Sequence, residues 1–120
     1  INGDKGKRIA QRGFTAGQIN GNIEGPEIIY NEELQKYYLF ISYDWLQTKY
    51  NVRVGRSDSP EGPFLDYNGN DVNEAEDNIP MIIAPYKFMG HSGWQGVSHP
   101  AVFEDNGQFY IAHQGRPGVN

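Results

Sequence analysis

The chain has 120 residues, a formal net charge of −5 and no apolar run near the roughly 20 residues that cross a bilayer. This balance excludes the basic surface that nucleic acids and anionic membranes require, so we predict no nucleic-acid partner and no membrane span. The absence of cysteine excludes a disulfide framework and a thiolate zinc site. Fifteen glycines, seven prolines and eight tyrosines favour short strands joined by many turns.

The first predicted unit is a four-stranded antiparallel sheet within residues 23–67, after a loop or edge segment at 1–22. Its strands are rich in aromatic and β-branched residues or alternate apolar with polar residues, and turns rich in Gly, Pro, Asn and Ser separate them. The alternation at 50–56 predicts a half-buried strand, and the last strand is a short outer one. The predicted strands are 27–31, 36–43, 50–56 and 64–66.

A second unit begins near residue 96 and repeats the first. Residues 68–95 are predicted to be an acidic connecting loop and strand, and 96–120 are predicted to be the start of the next, truncated unit. Its strands are predicted at 100–104 and 108–113. Pro26 aligns with Pro100, 74 positions later. Repeated hairpins are typical of β-propellers, in which small antiparallel sheets are arranged radially as blades.

The length predicts only part of a propeller. A blade takes roughly 40–50 residues, so the chain accounts for about two blades, whereas a propeller needs at least about four. Ile1 is not an initiator residue, and residues 114–119 read as the middle of a loop. We therefore expect an all-β fragment that works with the N-terminal remainder of its propeller, on the same precursor or on a companion chain. An independent small β-domain is the alternative.

Several motifs carry a family resemblance. Residues 23–26 read Ile-Glu-Gly-Pro, and residues 54–64 read Val-Gly-Arg-Ser-Asp-Ser-Pro-Glu-Gly-Pro-Phe. Residues 98–103 read Ser-His-Pro-Ala-Val-Phe, and 112–116 read Ala-His-Gln-Gly-Arg. In this order they resemble the family 43 glycoside hydrolases, five-bladed β-propellers that cleave arabinose- and xylose-containing polysaccharides.

The resemblance implies a substrate class. The ending at 112–116 is most similar to endo-1,5-α-L-arabinanases, which implies hydrolysis of α-1,5-linked arabinan. A β-xylosidase or α-L-arabinofuranosidase shares the motifs, and a carbohydrate-binding propeller without catalysis remains an alternative. The implied partner is plant cell-wall polysaccharide, either arabinan or arabinoxylan. Because a polymer must be cut before uptake, we expect an extracellular, periplasmic or cell-surface protein, of the kind that bacteria secrete.

The resemblance also implies an inverting mechanism in which one carboxyl group is the acid and another is the base. Glu24 occupies the position of the family's general acid. The alternative is that Glu24 is a solvated acidic residue of a loop. Glu27 is its nearest rival, and strand alternation predicts that it faces the opposite side. The base and a third carboxylate come from earlier blades, and Asp44, Asp58 and Asp66 lie outside the matching motif. We therefore expect the chain alone to be inactive.

His99 is the second candidate, because it aligns with Gly25 and so lies next to the slot of Glu24. The resemblance implies a nearby calcium ion with water ligands in the central channel. A neutral imidazole is a poor ligand for calcium, which prefers oxygen, so we expect the contact to run through water. The alternative is that His99 is a core histidine whose ring hydrogen-bonds to a backbone carbonyl.

Three further residues are predicted to bind substrate. Trp94 lies in a loop rich in glycine and serine, where an exposed aromatic ring can stack on the apolar face of a sugar. His113 and Arg116 belong to the ending at 112–116, and the resemblance places them at the floor of the site.

Overall fold

The computed structural model describes residues 3, 5–12, 14, 15, 18, 19, 22–74 and 78–118. Within these residues every regular element is a β-strand, which agrees with the predicted all-β class, and no helix is long and apolar enough to cross a membrane. The strands, in chain order, are β1 Phe14–Thr15, β2 Gln18–Ile19, β3 Ile23–Asn31, β4 Lys36–Tyr43, β5 Asn51–Ser57, β6 Met81–Ile83, β7 Lys87–Phe88, β8 His91–Ser92, β9 Trp94–Gln95, β10 Ala101–Asp105, β11 Gln108–Ala112 and β12 Arg116–Pro117.

The largest sheet has four antiparallel strands in the order β3-β4-β5-β6. Its first three strands follow the predicted meander, because aromatic and β-branched residues favour extended backbone and turns separate them. β4 matches the predicted bounds, whereas β3 starts four residues earlier than expected and β5 is shifted by one residue.

The fourth strand corrects the prediction. β6 pairs with β5 through Val52 opposite Ile83, whereas the strand predicted within residues 68–95 was expected to connect the two units rather than to join the first sheet. The predicted outer strand at 64–66 contributes a single bridge, from Leu65 to Arg56, and Leu65 is bridged to Asp71 on its other side. Because this loop folds back on itself at one end of β5, the other end of the β5 edge remains available to β6.

The core lies on one face of this sheet. Phe64 and Val72 pack over Gly55, where an added Cβ would lie 2.9 Å from the Phe64 Cβ. The buried cluster consists of Leu39, Ile41, Tyr43, Phe64, Val72 and Ile79. On the opposite face, Ser42 meets the segment that enters the second unit. β5 is therefore buried on both faces over residues 51–53 rather than half-buried.

The remaining strands form two-stranded antiparallel ribbons. β10 and β11 form the predicted hairpin of the second unit within one residue of its expected bounds. β10 lies beside β3, β9 pairs with β12, and β7 pairs with β8. β1 and β2 pair within the segment 1–22. Residues 75–77 of the predicted acidic loop lie outside the described residues, and the predicted domain boundaries stay predictions.

Candidate active site

A β-bulge near the start of β3 sets the position of Glu24. Glu24 lies opposite Ser42 and Glu27 lies opposite Phe40, so three residue steps on β3 match two on β4. Gly25, inside the bulge, has a φ of +58°, a left-handed conformation that glycine adopts without steric cost. Bulges re-aim side chains and are over-represented beside active sites.

The same bulge corrects the prediction for Glu27. Directly opposed residues in an antiparallel pair share a face, and Ser42 and Phe40 lie on one face of β4. Glu24 and Glu27 therefore share that face, because the extra residue of the bulge resets the alternation. The Glu27 carboxylate accepts a hydrogen bond from the Val102 backbone N–H at 3.4 Å. Glu27 thus links β3 to β10 of the second unit through this hydrogen bond.

Tyr50 contacts Glu24, although no sequence motif pointed to this residue. Its ring is 1% exposed, and its hydroxyl donates a hydrogen bond to Glu24 Oε1 at 2.8 Å. The sequence pattern predicted Tyr50 as the first residue of a half-buried strand, which carries no functional implication. The available signal was a tyrosine rather than a phenylalanine, because a buried phenol needs a polar partner.

Burial raises the pKa of Tyr50 above its ordinary value of 10.0. The hydrogen bond with Ser42 opposes this rise, whereas the hydrogen bond to Glu24 and the charge of its carboxylate add to it. The phenol is therefore neutral at physiological pH and remains a hydrogen-bond donor.

His99 completes the acid cluster, which we define as Glu24, Tyr50 and His99. Its Nδ1 lies 3.2 Å from the Tyr50 hydroxyl oxygen, and its backbone N–H donates to Ser42 Oγ at 2.9 Å. The His99 imidazole therefore contacts the phenol of Tyr50, and His99 is exposed at the surface. Its φ of +57° matches that of Gly25, with which the sequence repeat aligns it. Non-glycine residues in this region are uncommon, and such strain clusters at functional sites.

Buried serines hold the cluster in place. The Ser98 hydroxyl lies 2.7 Å from Ser42 Oγ and 2.8 Å from the Asn51 carbonyl oxygen, and all three residues are fully buried. A Cβ at Gly25 would lie 3.2 Å from His99 Nδ1 and 3.3 Å from Ser42 Oγ. Glycine is therefore favoured at position 25 by both its backbone conformation and the close approach of the second unit.

The carboxylate of Asp44 forms ion pairs with two arginine side chains. Its carboxylate is 3.0 Å from the Arg12 guanidinium and 3.3 Å from that of Arg53, and both guanidinium groups lie against the ring of Tyr43. A carboxylate held between two buried arginines is fixed by charge-assisted hydrogen bonds. The arrangement ties the segment before β1 to the end of β4.

Asp58 and Asp66, which also lie outside the motif, form hydrogen bonds with residues other than Glu24. Asp58 accepts a hydrogen bond from Lys36, and this bond and the lysine charge lower the pKa of Asp58 below 3.8. Asp66 accepts hydrogen bonds at 2.8 Å from the backbone N–H groups of Asn68 and Asn70 in its own turn.

The three residues predicted to bind substrate are Trp94, His113 and Arg116. Trp94 is 50% exposed on β9. The Arg116 guanidinium donates to the Gln47 carbonyl oxygen, and His113 is exposed with its Nδ1 2.7 Å from the carbonyl oxygen of the next residue. Among the described residues, none of the three hydrogen-bonds to the cluster. Their role in binding stays a prediction.

The expected calcium contact depends on the oxygen ligands around His99. In the part of the chain that the structure describes, no group of three or more His, Cys, Asp or Glu side chains could hold a metal ion. Calcium takes six to eight oxygen ligands, and waters can be among them, so a water-mediated contact with His99 stays a prediction. The Nδ1 of His99 faces Tyr50, which leaves Nε2 as the nitrogen that could hydrogen-bond to a metal-bound water.

A groove of about 640 Å³ lies at the opposite end of the large sheet. Its lining includes Lys36, Tyr38, Arg56 and Asp58, and it contains no member of the acid cluster. The groove and the acid cluster are therefore separate features of the chain.

Comparisons with known proteins agree with the motifs. The model of the family described as "Glycosyl hydrolases family 43" matches residues 3–119. An extracellular endo-α-(1→5)-L-arabinanase 2 of Bacillus subtilis is 40% identical over 75 residues, which cover 58% of this chain and 16% of the relative. An extracellular exo-α-(1→5)-L-arabinofuranosidase of Cellvibrio japonicus is 29% identical over 96 residues, which cover 77% of this chain and 25% of the relative.

The fold is also shared with solved structures. An endo-1,5-α-L-arabinanase from Thermotoga petrophila, in complex with TRIS, superimposes with a TM-score of 0.76 at 26% identity. The match covers 93% of this chain and 27% of that one. It supports the predicted class, an all-β chain that is part of a propeller, and the number of blades stays a prediction. The chain spans about a quarter or less of the length of these relatives.

Proposed function

Because the chain belongs to the glycosyl hydrolases family 43, we propose that the whole protein hydrolyses α-1,5-linked arabinan and that this chain supplies the general acid, Glu24. The names of the relatives from Bacillus and Thermotoga support the substrate class. The observation that carries the residue assignment is the acid cluster, in which a bulge and a buried phenol fix an exposed carboxyl group.

The geometry suits proton donation. Tyr50 donates to Glu24 Oε1, so the transferable proton of a protonated Glu24 belongs on Oε2. A general acid must lie within hydrogen-bond reach of the leaving oxygen, and a fixed carboxyl group keeps that distance constant. Glu24 is exposed, so a glycosidic oxygen can approach it.

The proposed reaction inverts the configuration at the anomeric carbon. Glu24 protonates the leaving oxygen while a second carboxylate, outside this chain, activates water on the opposite side of the sugar. The two carboxyl groups of such a pair stand about 6.5–9.5 Å apart to leave room for the water. The chain is therefore expected to act together with the remainder of the propeller and to be inactive alone.

An exo-acting α-L-arabinofuranosidase is the second candidate, and the match to the Cellvibrio japonicus relative supports it. The relatives from Bacillus subtilis and Cellvibrio japonicus are both described as extracellular, which supports an extracellular location for the whole protein. We also propose that a calcium ion lies in the central channel of the whole protein, with a water-mediated contact to His99. Chelation of calcium from the full-length protein, followed by calcium replacement, tests that proposal through the thermal unfolding midpoint.

The test of the function uses the full-length protein on linear 1,5-arabinan, with reducing-end release and product chromatography. Glu24→Gln should reduce the rate by about 10²–10⁴-fold, the usual contribution of a general acid. Glu33→Gln, an exposed acid in the β3–β4 turn, is the matched control and should retain the parent rate. Oligomeric products indicate endo action and monomers indicate exo action. An active Glu24→Gln variant, or a parent that only binds arabinan, would contradict the proposal.

A further inference from the structure

We propose that Tyr50 is a positioning residue that holds the Glu24 carboxyl in its proton-donating orientation. The inference rests on the proposed role of Glu24 as the general acid. Tyr50 is 1% exposed, so it acts through Glu24 rather than by touching substrate. Its hydroxyl is 2.8 Å from Glu24 Oε1, a normal length for an O–H···O hydrogen bond.

The donors and acceptors around the Tyr50 hydroxyl determine which group receives its proton. A tyrosine hydroxyl carries one proton and two lone pairs. A carboxylate oxygen can only accept, whereas the imidazole Nδ1 of His99 can carry a proton. The Tyr50 proton therefore goes to Glu24, and the Tyr50 oxygen accepts a hydrogen bond from the Nδ1–H of His99.

The protein around the phenol fixes its place. Tyr50 directly precedes β5, and the next residue, Asn51, is fully buried and accepts the Ser98 hydroxyl through its carbonyl. Ser98 in turn contacts Ser42 on β4. The phenol oxygen therefore sits on a buried polar network that spans two strands and the second unit. Glu24 has a flexible side chain on an exposed bulge, and among the described residues its carboxyl receives one side-chain hydrogen bond, from Tyr50, which therefore selects its orientation.

The kinetic signature follows from this role. Misplacing a catalytic group by about 1 Å can cost about 10²-fold in rate. Loss of positioning should lower kcat and leave KM nearly unchanged, because Tyr50 does not touch substrate. The loss should also shrink as the leaving group becomes a better one, because a leaving group of low pKa needs little help from a general acid.

The test compares Tyr50→Phe with the parent in the full-length protein. Substrates are linear 1,5-arabinan and a series of aryl α-1,5-arabinotriosides with leaving groups from phenol to 2,4-dinitrophenol. We expect kcat on arabinan to fall by about 10–10²-fold, with recovery to within about threefold on the dinitrophenyl substrate. Tyr30→Phe removes a hydroxyl from the other end of β3 and is the control, which should match the parent throughout.

The outcomes separate the two proposals. If Glu24→Gln retains activity on arabinan, the role of Glu24 fails first and Tyr50 loses its purpose. If Glu24→Gln is inactive but Tyr50→Phe keeps the parent kcat, or loses the same factor on every leaving group, the positioning role is overturned. Should Tyr50→Phe fail to fold, the variant Tyr50→4-aminophenylalanine retains an N–H donor. It should then retain the parent's leaving-group dependence, and a different dependence overturns the proposal.

Discussion

Replacing Gly25 by alanine should destabilise the protein and damage the acid cluster together. At a φ of +58° an alanine costs about 1–2 kcal/mol, and restriction of the unfolded chain returns about 0.4–1 kcal/mol. The new Cβ would lie 3.2 Å from His99 Nδ1 and 3.3 Å from Ser42 Oγ, so both must shift. If one or two hydrogen bonds are lost, each worth about 1 kcal/mol, the central values sum to a total of about 2–3 kcal/mol.

Gly107 provides the matched control for this substitution. It has a φ of +79° in the β10–β11 turn, and an added Cβ would have no atom within 4 Å. Gly107→Ala should therefore lose about 1 kcal/mol, from backbone strain alone, and keep its activity. The difference between the two variants isolates the steric contribution at position 25.

The assay is urea unfolding of the full-length protein and its two variants, with kcat on linear 1,5-arabinan measured in parallel. Gly25→Ala should lose about 1–2 kcal/mol more than Gly107→Ala, and its kcat should fall by about 10–10²-fold because His99 and Ser42 hold the cluster. If both variants lose the same stability and keep the same kcat, the close approach at Gly25 does not constrain the site, and the reasoning is refuted.

Three further predictions concern packing and charge. Gly55→Ala should lower the unfolding free energy by about 1–3 kcal/mol in urea titrations, because its Cβ would press on Phe64; an unchanged midpoint would contradict the packing. The pKa of Tyr50 is raised above 10.0, so its stabilising contribution is complete below pH 10 and declines as the pH rises further. Unfolding measured from pH 9 to 11 should show a shallower decline in Tyr50→Phe, and an equal decline would refute this. The pKa of Asp58 is lowered, so carboxyl NMR should give a midpoint below 3.8 that returns toward 3.8 in Lys36→Ala.

The sequence by itself determined the local elements. Aromatic and β-branched residues in 36–43, bounded by turn residues, specify a strand without help from distant contacts, and β4 has those bounds. The repeat aligned His99 with Gly25, and the structure gives both residues nearly the same φ. Local sequence therefore sufficed where neighbouring residues set the conformation, and the motifs sufficed for the family.

Only the tertiary structure decided which segments meet. Residues 64–66 and 81–83 carry similar short apolar patterns, and the choice of β6 as the fourth strand depended on which segment could reach the β5 edge. The face of Glu27 depended on a register shift that appears only when β3 pairs with β4, although a Gly-Pro pair inside a strand is a signal for a bulge. The contact of Tyr50 with Glu24 joins residues 26 positions apart across the sheet. Such long-range contacts follow from the pairing and packing of whole strands, which no local window of sequence contains.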